Sequence, residues 1–267
     1  MAKYRDRLEV AVEAARKAGG YLIEVLADKR EIKKKGVVDI VTDADKEAEH
    51  IIRNMVFRYF PDDEFLAEEG TEASGKTGLL WVVDPLDGTT NYAHRFPVFC
   101  VSIAVVRDNI PLLGCIYNPN LNELFTAIQG EGAFLNDEKI KVSQTGKLIE
   151  SLLATGFPYD IRESEADNMN NFYAFYKNGA QAVRRAGSAA LDLAYTACGR
   201  FDGFWEMKLH PWDIAAGILL VEEAGGKVTD FSGGPIGLYR GEVLASNGTI
   251  HEQMRKVLLK AGALKLQ

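Results

Sequence analysis

The sequence predicts a fold that mixes α-helices with a largely antiparallel β-sheet, and three observations lead to it. Two segments near the N-terminus carry apolar residues at helical spacing. Residues 98–128 then form short apolar runs separated by turn residues, which is the pattern of a β-meander. Further short strands and helices alternate in the second half. A doubly wound parallel sheet is not expected, because a meander pairs its strands antiparallel.

The first two helices are predicted from apolar stripes. The stripe of the first helix consists of Leu8, Val12, Ala15, Gly19, Leu22 and Leu26. The stripe of the second consists of Ala48, Ile51, Ile52, Met55, Val56 and Tyr59. Thr42 and Asp45 resemble a capping box at the start of the second helix, and Pro61 ends it. Capping alone is a sufficient local explanation for Asp45.

A basic stretch around Gly36 separates these two helices. The lysines of residues 33–39 are explained by a solvated loop. The alternative is a mobile flap that closes over an anion.

The central strand is predicted at residues 79–83, an apolar run that stops at Asp84. Asp84 and Asp87 follow at its end, where open α/β folds place ligands. Mg²⁺ takes oxygen ligands, usually a few carboxylates with water and phosphate, and these two residues can supply carboxylates from one turn. Gly88 and Thr89 can offer backbone N–H groups to a phosphate. An Asp/Pro/Gly turn without a ligand is the alternative.

A short strand before this one ends at Glu68 and Glu69. Adjacent glutamates are usually surface charges. They gain interest here because the next element leads to Asp84.

The second half begins after a polar, linker-like stretch at residues 141–147. A helix over residues 167–177 is expected to place Phe172, Phe175 and Tyr176 in the core. Ser188 is predicted to cap a helix that ends before Gly199.

A later helix is predicted to begin at Pro211. Asp213 falls in its first turn, where the helix dipole favours a negative charge. Glu206 lies in a strand shortly before it.

Composition narrows the class of protein. The 267 residues carry 31 Lys and Arg against 38 Asp and Glu, so the net charge is −7 and argues against non-specific nucleic-acid binding. It does not argue against an anionic substrate, since a bound cation reverses the local field. The three cysteines lack metal-ligand spacing. With no signal peptide and no apolar run of membrane-spanning length, a cytoplasmic location is expected and no membrane association.

Four stretches together resemble the inositol monophosphatase family, and the third of them looks closest to its bacterial branch. They are FLAEEG at residues 65–70, WVVDPLDGTTNYAH at 81–94, GSAALDLAYTACGRFDGFWE at 187–206 and HPWDIAAGILLVEEAGG at 210–226. The resemblance covers essentially the whole chain in the right order. Members of this family are magnesium-dependent, lithium-sensitive sugar phosphatases. The resemblance implies an α+β fold, a layered α-β-α-β-α sandwich of the inositol monophosphatase and fructose-1,6-bisphosphatase type.

The same resemblance implies how the chain is organised. A single domain is expected over residues 1–267, with sublobes at about 1–145 and 146–267. Two to three Mg²⁺ ions and a homodimer are also implied.

Metal ligands are carried over position by position. Glu68, Asp84 and the Leu86 carbonyl correspond to ligands of the first ion, and a third, looser ion would lie near Glu68. Ligands of the second ion correspond to Asp84, Asp87 and Asp213. Residues 33–39 correspond to a mobile loop near the metals.

Catalytic and substrate-binding residues are implied in the same way. Glu68, Thr89 and Asp45 are the expected catalytic residues, with Thr89 and Asp45 positioning the attacking water. The groups expected to contact substrate are Asp87, Gly88, Thr89, Gly187, Ser188, Ala189, Glu206 and Asp213. Of these, Gly187, Ser188, Ala189 and Glu206 form the wall that would hold polyol hydroxyls.

The implied activity is magnesium-dependent release of phosphate from inositol 1-phosphate by in-line attack of metal-activated water. One alternative adds fructose 1,6-bisphosphate as substrate, with Arg184, Arg185 and Lys208 as candidates to meet a second phosphate. Another alternative is a phosphatase-fold partner of the transcription machinery.

Overall fold

The computed structural model describes residues 4–26, 32–34, 40–160, 162–164 and 168–262. The described helices are α1 (Arg5–Leu26), α2 (Asp43–Tyr59), α3 (Thr89–Ala93), α4 (Met169–Lys177), α5 (Ala189–Ala197), α6 (Pro211–Glu223) and α7 (His251–Gly262). The strands of the first half are β1 (Ile32–Lys34), β2 (Ile40–Thr42), β3 (Glu64–Ala67), β4 (Glu72–Ala73), β5 (Leu80–Asp87), β6 (Cys100–Arg107), β7 (Ile110–Asn118), β8 (Glu123–Ile128), β9 (Gly132–Leu135) and β10 (Glu138–Lys139). Those of the second half are β11 (Leu152–Thr155), β12 (Ala182–Arg184), β13 (Gly203–Glu206), β14 (Lys227–Thr229) and β15 (Val243–Ser246).

Two mixed sheets form the framework. In the large sheet the strand order is β10-β9-β8-β7-β6-β5-β3-β4, and all neighbours are antiparallel except β3 and β5. In the small sheet the order is β12-β11-β13-β15-β14, with β11 parallel to both of its neighbours. The predicted meander is confirmed, because β6, β7, β8 and β9 pair in succession and antiparallel.

The helices and sheets alternate in five layers, as expected for the α-β-α-β-α sandwich. Helices α1 and α2 pack together on one face of the large sheet. Helices α5 and α6 cover its other face and also contact the small sheet. Helices α4 and α7 form the outer layer beyond the small sheet. The hydrophobic cluster between the sheets draws buried residues from both halves of the chain. The division into two sublobes near residue 145 stays a prediction.

Three details differ from the expected elements. Helix α1 buries a face that includes Val10, Ala14 and Ala18, while Leu8 and Val12 from the expected stripe are only partly buried. Strand β5 continues through Asp87 rather than stopping at Asp84. Its pairing with β6 becomes irregular between these two residues. A proline within the segment has no N–H to donate, which suits this break in the ladder.

The aromatic residues of α4 do not all enter the core as expected. Phe175 is fully buried and stacks on Trp205, with ring centroids 4.0 Å apart. Tyr176, in contrast, is 68% exposed, so its assignment to the core was wrong. A helix on the outermost layer can bury only one face, and Tyr176 lies outside that face.

Candidate active site

Strand β5 delivers Asp84 and Asp87 to one end of the large sheet. The Asp84 side chain is buried, and its Oδ1 accepts a hydrogen bond from the Leu86 N–H at 2.9 Å. This bond lies where the pairing of β5 with β6 is disturbed. Asp84 therefore lies at an irregularity within β5, and Asp87 ends the same strand three residues later.

Gly88 lies between the end of β5 and the short helix α3. Its φ is +98°, a conformation that L side chains rarely adopt. An added Cβ would also lie 2.8 Å from the Val98 carbonyl oxygen. Only glycine satisfies both conditions, so the backbone at Gly88 borders the cavity with no side chain in the way.

Thr89 connects the start of α3 to helix α2. Its Oγ1 lies 3.1 Å from the Leu86 carbonyl oxygen and 3.4 Å from Oδ2 of Asp45, and it can donate to either. Asp45 is in the first turn of α2 and is almost fully buried. The structure thus brings together the Thr89 and Asp45 pair that the family resemblance implied.

Glu68 directly follows β3, the strand that runs parallel to β5. Its backbone N–H donates to the Val83 carbonyl at 3.2 Å. The carboxyl ends of parallel neighbouring strands meet at one edge of a sheet. Glu68 and Asp84 consequently line the same cavity of about 80 Å³.

Asp213 reaches this cavity from the N-terminus of α6. Its Oδ2 accepts the N–H of His210, the N-cap residue, at 2.6 Å. Pro211 begins the helix as predicted. Burial, followed by the charge of Asp87, raises the pKa of Asp213 well above its ordinary value, although the His210 N–H acts in the opposite direction. Helix capping and membership of an acidic cluster therefore coincide in one residue.

Groups at the N-terminus of α5 donate hydrogen bonds to the Asp87 carboxylate. The Ser188 hydroxyl donates to Oδ2 of Asp87 at 2.6 Å, and the Ala190 N–H donates to the same oxygen at 2.8 Å. Ser188 is also the N-cap, accepting from the Leu191 N–H at 3.3 Å. Burial raises the pKa of Asp87 to about 6, and these donors oppose that rise. The Ser188 hydroxyl therefore faces Asp87, a role beyond its predicted place in the substrate wall.

The acidic side chains form a cluster in which like charges dominate. Burial raises the pKa of Asp84 well above its ordinary value, and the negative charge of Glu68 is the next largest cause. The other groups that act most on Asp84 are Asp87, Asp213 and Asp45, and all of them raise its pKa. Such a buried concentration of carboxylates is costly to hold without a cation.

The donor chemistry of this cluster fits a hard divalent cation, which prefers carboxylate and carbonyl oxygens. Among the described residues, however, no three His, Cys, Asp or Glu side chains already surround a point that could hold a metal ion. Three of the carboxylates, Asp84, Asp87 and Asp213, accept hydrogen bonds from protein donors. Like charges also repel, which opposes convergence of the side chains. The negative charge and the oxygen ligands of the cluster fit a divalent cation. To coordinate one, the carboxylate side chains would have to move closer together.

A second cavity of about 340 Å³ opens beside the acidic cluster. Asp87, Gly88, Glu206 and Asp213 line both cavities, so the two are neighbours. Gly187, Ser188 and Ala189 line the larger one, as expected for the substrate wall. Its volume is within the range of about 300–1,000 Å³ that is usual for small-molecule sites.

Glu206 is buried in the wall that the two cavities share. Burial raises its pKa to about 8, with the charge of Asp87 adding to the rise and that of Arg185 opposing it. Gly156 makes room for this side chain, because an added Cβ there would overlap the Glu206 carboxyl group. The strand-end segment Gly156-Phe157-Pro158 was not expected to line the site, but it does.

Several other lining residues escaped the sequence analysis. They include Asn91, Tyr159 and Asp192. The Asn91 side-chain amide donates to the Val98 carbonyl at 2.7 Å and to the Ala186 carbonyl at 2.9 Å. Gly156 directly follows strand β11, and a position at the end of a strand was the available signal. No local pattern marked Tyr159 or Asp192 as part of a site.

The three basic candidates for a second phosphate occupy different positions. Lys208 lies 2.7 and 2.9 Å from the two carboxylate oxygens of Asp160. Arg185 lines the larger cavity, whereas Arg184 is exposed and is not among its lining residues. Residues 35–39 of the predicted mobile loop lie outside the described part of the chain.

Comparisons with known proteins give a consistent result. A model of the inositol monophosphatase family matches residues 3–262. An inositol-1-monophosphatase from Synechocystis is 46% identical over 257 residues, which cover 94% of this chain and 88% of that protein. The Nus factor SuhB of Escherichia coli is 43% identical over 250 residues, covering 92% and 93% of the two chains. The solved structure of inositol monophosphatase from Anabaena aligns with a TM-score of 0.88 at 43% identity, covering 97% of each chain. None of the helices in the described ranges is long and apolar enough to cross a membrane.

Proposed function

The chain belongs to the inositol monophosphatase family and is a phosphatase of that family, and from this premise we propose that it hydrolyses inositol 1-phosphate with the help of Mg²⁺. The observation that carries the proposal is the buried acidic cluster of Glu68, Asp84, Asp87 and Asp213 beside a cavity of about 340 Å³. Phosphate esters hydrolyse very slowly without a catalyst, so a site of this kind must supply a large stabilisation of the transition state.

We assign the acidic cluster to metal binding. Glu68, Asp84 and the Leu86 carbonyl would hold one Mg²⁺, and Asp84, Asp87 and Asp213 a second, with a third near Glu68. When bound, such ions lower the pKa of water and neutralise charge on phosphoryl oxygens. Ser188 and the first N–H groups of α5 keep Asp87 oriented and favour its ionised form, in which it can act as a ligand.

Thr89 and Asp45 are proposed to position the attacking water. The Thr89 hydroxyl lies between the Leu86 carbonyl and the Asp45 carboxylate, so its orientation is restricted. The backbone N–H groups of Gly88 and Thr89 are proposed to contact the phosphate. Glu68 completes the proposed catalytic set.

The wall of Gly187, Ser188, Ala189 and Glu206 is proposed to bind the alcohol part of the substrate. The Glu206 carboxyl group can accept hydrogen bonds from hydroxyls. Because like charges repel, it disfavours a second phosphate nearby. This favours a polyol monophosphate over a bisphosphate.

Fructose 1,6-bisphosphate remains a second candidate because Arg185 lines the larger cavity. Lys208 is paired with Asp160, which weakens the case for it as a phosphate ligand. The test is a phosphate-release panel in saturating Mg²⁺ with inositol 1-phosphate, fructose 1,6-bisphosphate, glycerol 2-phosphate and 2′-AMP. Inositol 1-phosphate should give the highest kcat/KM. A higher value for fructose 1,6-bisphosphate would reassign the substrate, and absence of Mg²⁺-dependent release from all four would refute the proposal.

A separate role as a partner of the transcription machinery is suggested by relatives that carry the name Nus factor SuhB. A pull-down with the wild-type chain and with Asp84→Asn separates binding from catalysis. The cytoplasmic location, the homodimer and lithium sensitivity belong to the same proposal and rest on the family resemblance.

A further inference from the structure

Asp192 is a buried acid that the proposed mechanism does not use. It lies in the first turn of α5, four residues after the N-cap Ser188. Its side chain is only 1% exposed, yet it lines the larger cavity. Its Oδ1 is buried and has no hydrogen-bond partner within the part of the chain that the structure describes.

Glu49 also has one buried carboxyl oxygen without a hydrogen-bond partner among the described residues, but Glu49 does not line the larger cavity. Two other buried acids are fully accounted for by the fold. Asp63 accepts hydrogen bonds from Arg7, Thr77 and Trp81. Asp202 accepts from the Ser143 hydroxyl at 2.5 Å and from the Leu152 N–H at 2.7 Å. Both side chains thus have clear structural partners. A buried carboxyl oxygen without such a partner is costly, and a ligand that supplies a donor removes that cost.

Helix capping does not explain Asp192 either. The α5 N-cap is Ser188, whose hydroxyl accepts the Leu191 N–H. The first-turn N–H of Ala190 is directed at Asp87. The helix dipole favours a negative charge at Asp192, but it does not give Oδ1 a hydrogen-bond donor.

The position of Asp192 within the site indicates which part of a substrate it would meet. It lines the larger cavity together with Glu206 and Arg185. It is not among the residues that line the smaller cavity with Glu68 and Asp84. Asp192 therefore borders the larger cavity and not the smaller one that holds Glu68 and Asp84, and the larger cavity is the one with room for the alcohol part of a phosphate ester.

Electrostatics agree with this placement. Burial raises the pKa of Asp192, and the charges of Glu206 and then of Asp87 raise it further, whereas that of Arg185 lowers it. Three acids and one guanidinium thus act on one another at the same cavity. Such a group offers several hydrogen-bond acceptors and donors to hydroxyls while leaving little net positive charge for a second phosphate.

We propose that Asp192 is a specificity-determining residue that binds substrate hydroxyls together with Glu206. In this assignment Asp192 strengthens the preference of the site for phosphomonoesters whose alcohol part carries several hydroxyl groups. This inference rests on the proposed function, because it takes the acidic cluster as the phosphate end of the site.

The test compares Asp192→Ala and Asp192→Asn with a matched control on the same helix. Thr196→Val is that control: Thr196 is fully buried, its hydroxyl donates to the Asp192 carbonyl at 2.8 Å, and it does not line the cavity. Each variant is assayed in saturating Mg²⁺ with the hydroxyl-rich ester that the wild type cleaves fastest and with p-nitrophenyl phosphate, which has no such hydroxyls. Inhibition of p-nitrophenyl phosphate hydrolysis by myo-inositol and by inorganic phosphate is measured in parallel.

Asp192→Ala should lower kcat/KM for the hydroxyl-rich ester by about 10-fold to 100-fold, as expected for loss of a hydrogen bond to a charged group. The loss should be much smaller for p-nitrophenyl phosphate. The inhibition constant for myo-inositol should rise by a similar factor, with little change for phosphate. Asp192→Asn keeps one acceptor oxygen and should lose less, and Thr196→Val should keep the wild-type selectivity.

Equal losses of Asp192→Ala on both esters, or unchanged inhibition by myo-inositol, would overturn the inference. The same would follow if Thr196→Val shifted selectivity as strongly as Asp192→Ala. The wild-type substrate preference tests the proposed function separately. If the wild type prefers an ester other than inositol 1-phosphate, that assignment fails, while the change in selectivity still decides the role of Asp192.

Discussion

Replacing Asp213 by asparagine should change activity and metal-free stability in opposite directions. Asparagine has nearly the same shape and keeps an acceptor oxygen for the His210 N–H, which now lies 2.6 Å from Oδ2. The cap of α6 should therefore survive. What the substitution removes is one negative charge from a cluster in which Asp87 and Glu68 already raise the pKa of Asp213.

The expected loss of activity is large. If Asp213 is a metal ligand, its loss removes several kcal/mol of transition-state stabilisation. Each ~1.36 kcal/mol corresponds to a factor of ten, so kcat should fall by roughly 10²-fold to 10⁴-fold. Stability without metal should rise, because the raised pKa means that the ionised carboxylate is disfavoured in the folded state. Relief of roughly 1 kcal/mol corresponds to an increase in Tm of roughly 2–4 °C for a chain of this size.

The assay combines kinetics with thermal unfolding. kcat is measured against Mg²⁺ concentration, and Tm is measured in a chelator and at rising Mg²⁺. The wild type should gain stability with Mg²⁺, since a ligand that binds only the folded state stabilises it, and Asp213→Asn should gain less. Asp230→Asn is the control, because Asp230 accepts the Ser232 hydroxyl and the Gly234 N–H in a turn outside the site. It should lower Tm without changing kcat or the Mg²⁺-dependent gain.

Two results would refute this reasoning. Wild-type turnover by Asp213→Asn in limiting Mg²⁺ would remove Asp213 from the proposed ligands. A fall in metal-free Tm, with an unchanged response to Mg²⁺, would mean that the carboxylate serves mainly to cap α6.

Three further outcomes are expected. Glu206→Gln should weaken hydrolysis of inositol 1-phosphate more than that of p-nitrophenyl phosphate, by roughly 1.5–3 kcal/mol for one charged hydrogen bond; equal losses in kcat/KM would reassign Glu206 to the metals or the fold. Gly156→Ala should mimic this loss, because its Cβ would displace the Glu206 carboxyl group, and wild-type KM for inositol 1-phosphate would contradict the overlap. Burial lowers the pKa of His251 to about 4, and the ring is hydrogen-bonded to Thr229 and Ser246. Its neutral form therefore stabilises the fold above the ordinary pKa of 6.5, and that contribution is lost as pH falls towards 4. Urea unfolding at pH 7 and pH 5 should show wild type losing roughly 1–2 kcal/mol more than His251→Gln, which cannot titrate. An equal loss in both would exclude His251 as the cause.

The local sequence determined many of the elements directly. Apolar periodicity located α2, and the succession of short apolar runs located the meander from β6 to β8, because these signals depend only on residues near one another in the chain. Ser188 and Pro211 marked the starts of α5 and α6 correctly. The spacing of Asp84 and Asp87 at a strand end indicated a possible ligand turn. The family resemblance supplied the remaining acids, since nothing local distinguished Asp45 from a capping residue.

Only the tertiary structure decided which of these groups meet. Asp87 accepts a hydrogen bond from the Ser188 hydroxyl, although the two residues are 101 positions apart in the sequence. Thr89 and Asp45, which also lie within hydrogen-bond distance, are 44 positions apart. Asp192 lies on helix α5 and Glu206 on strand β13 of the small sheet, and these two elements pack against each other. Local periodicity shows that a helix has a buried face, but it does not specify what that face contacts. The environment of Asp192 depends on how the layers pack, and so the sequence alone did not single it out.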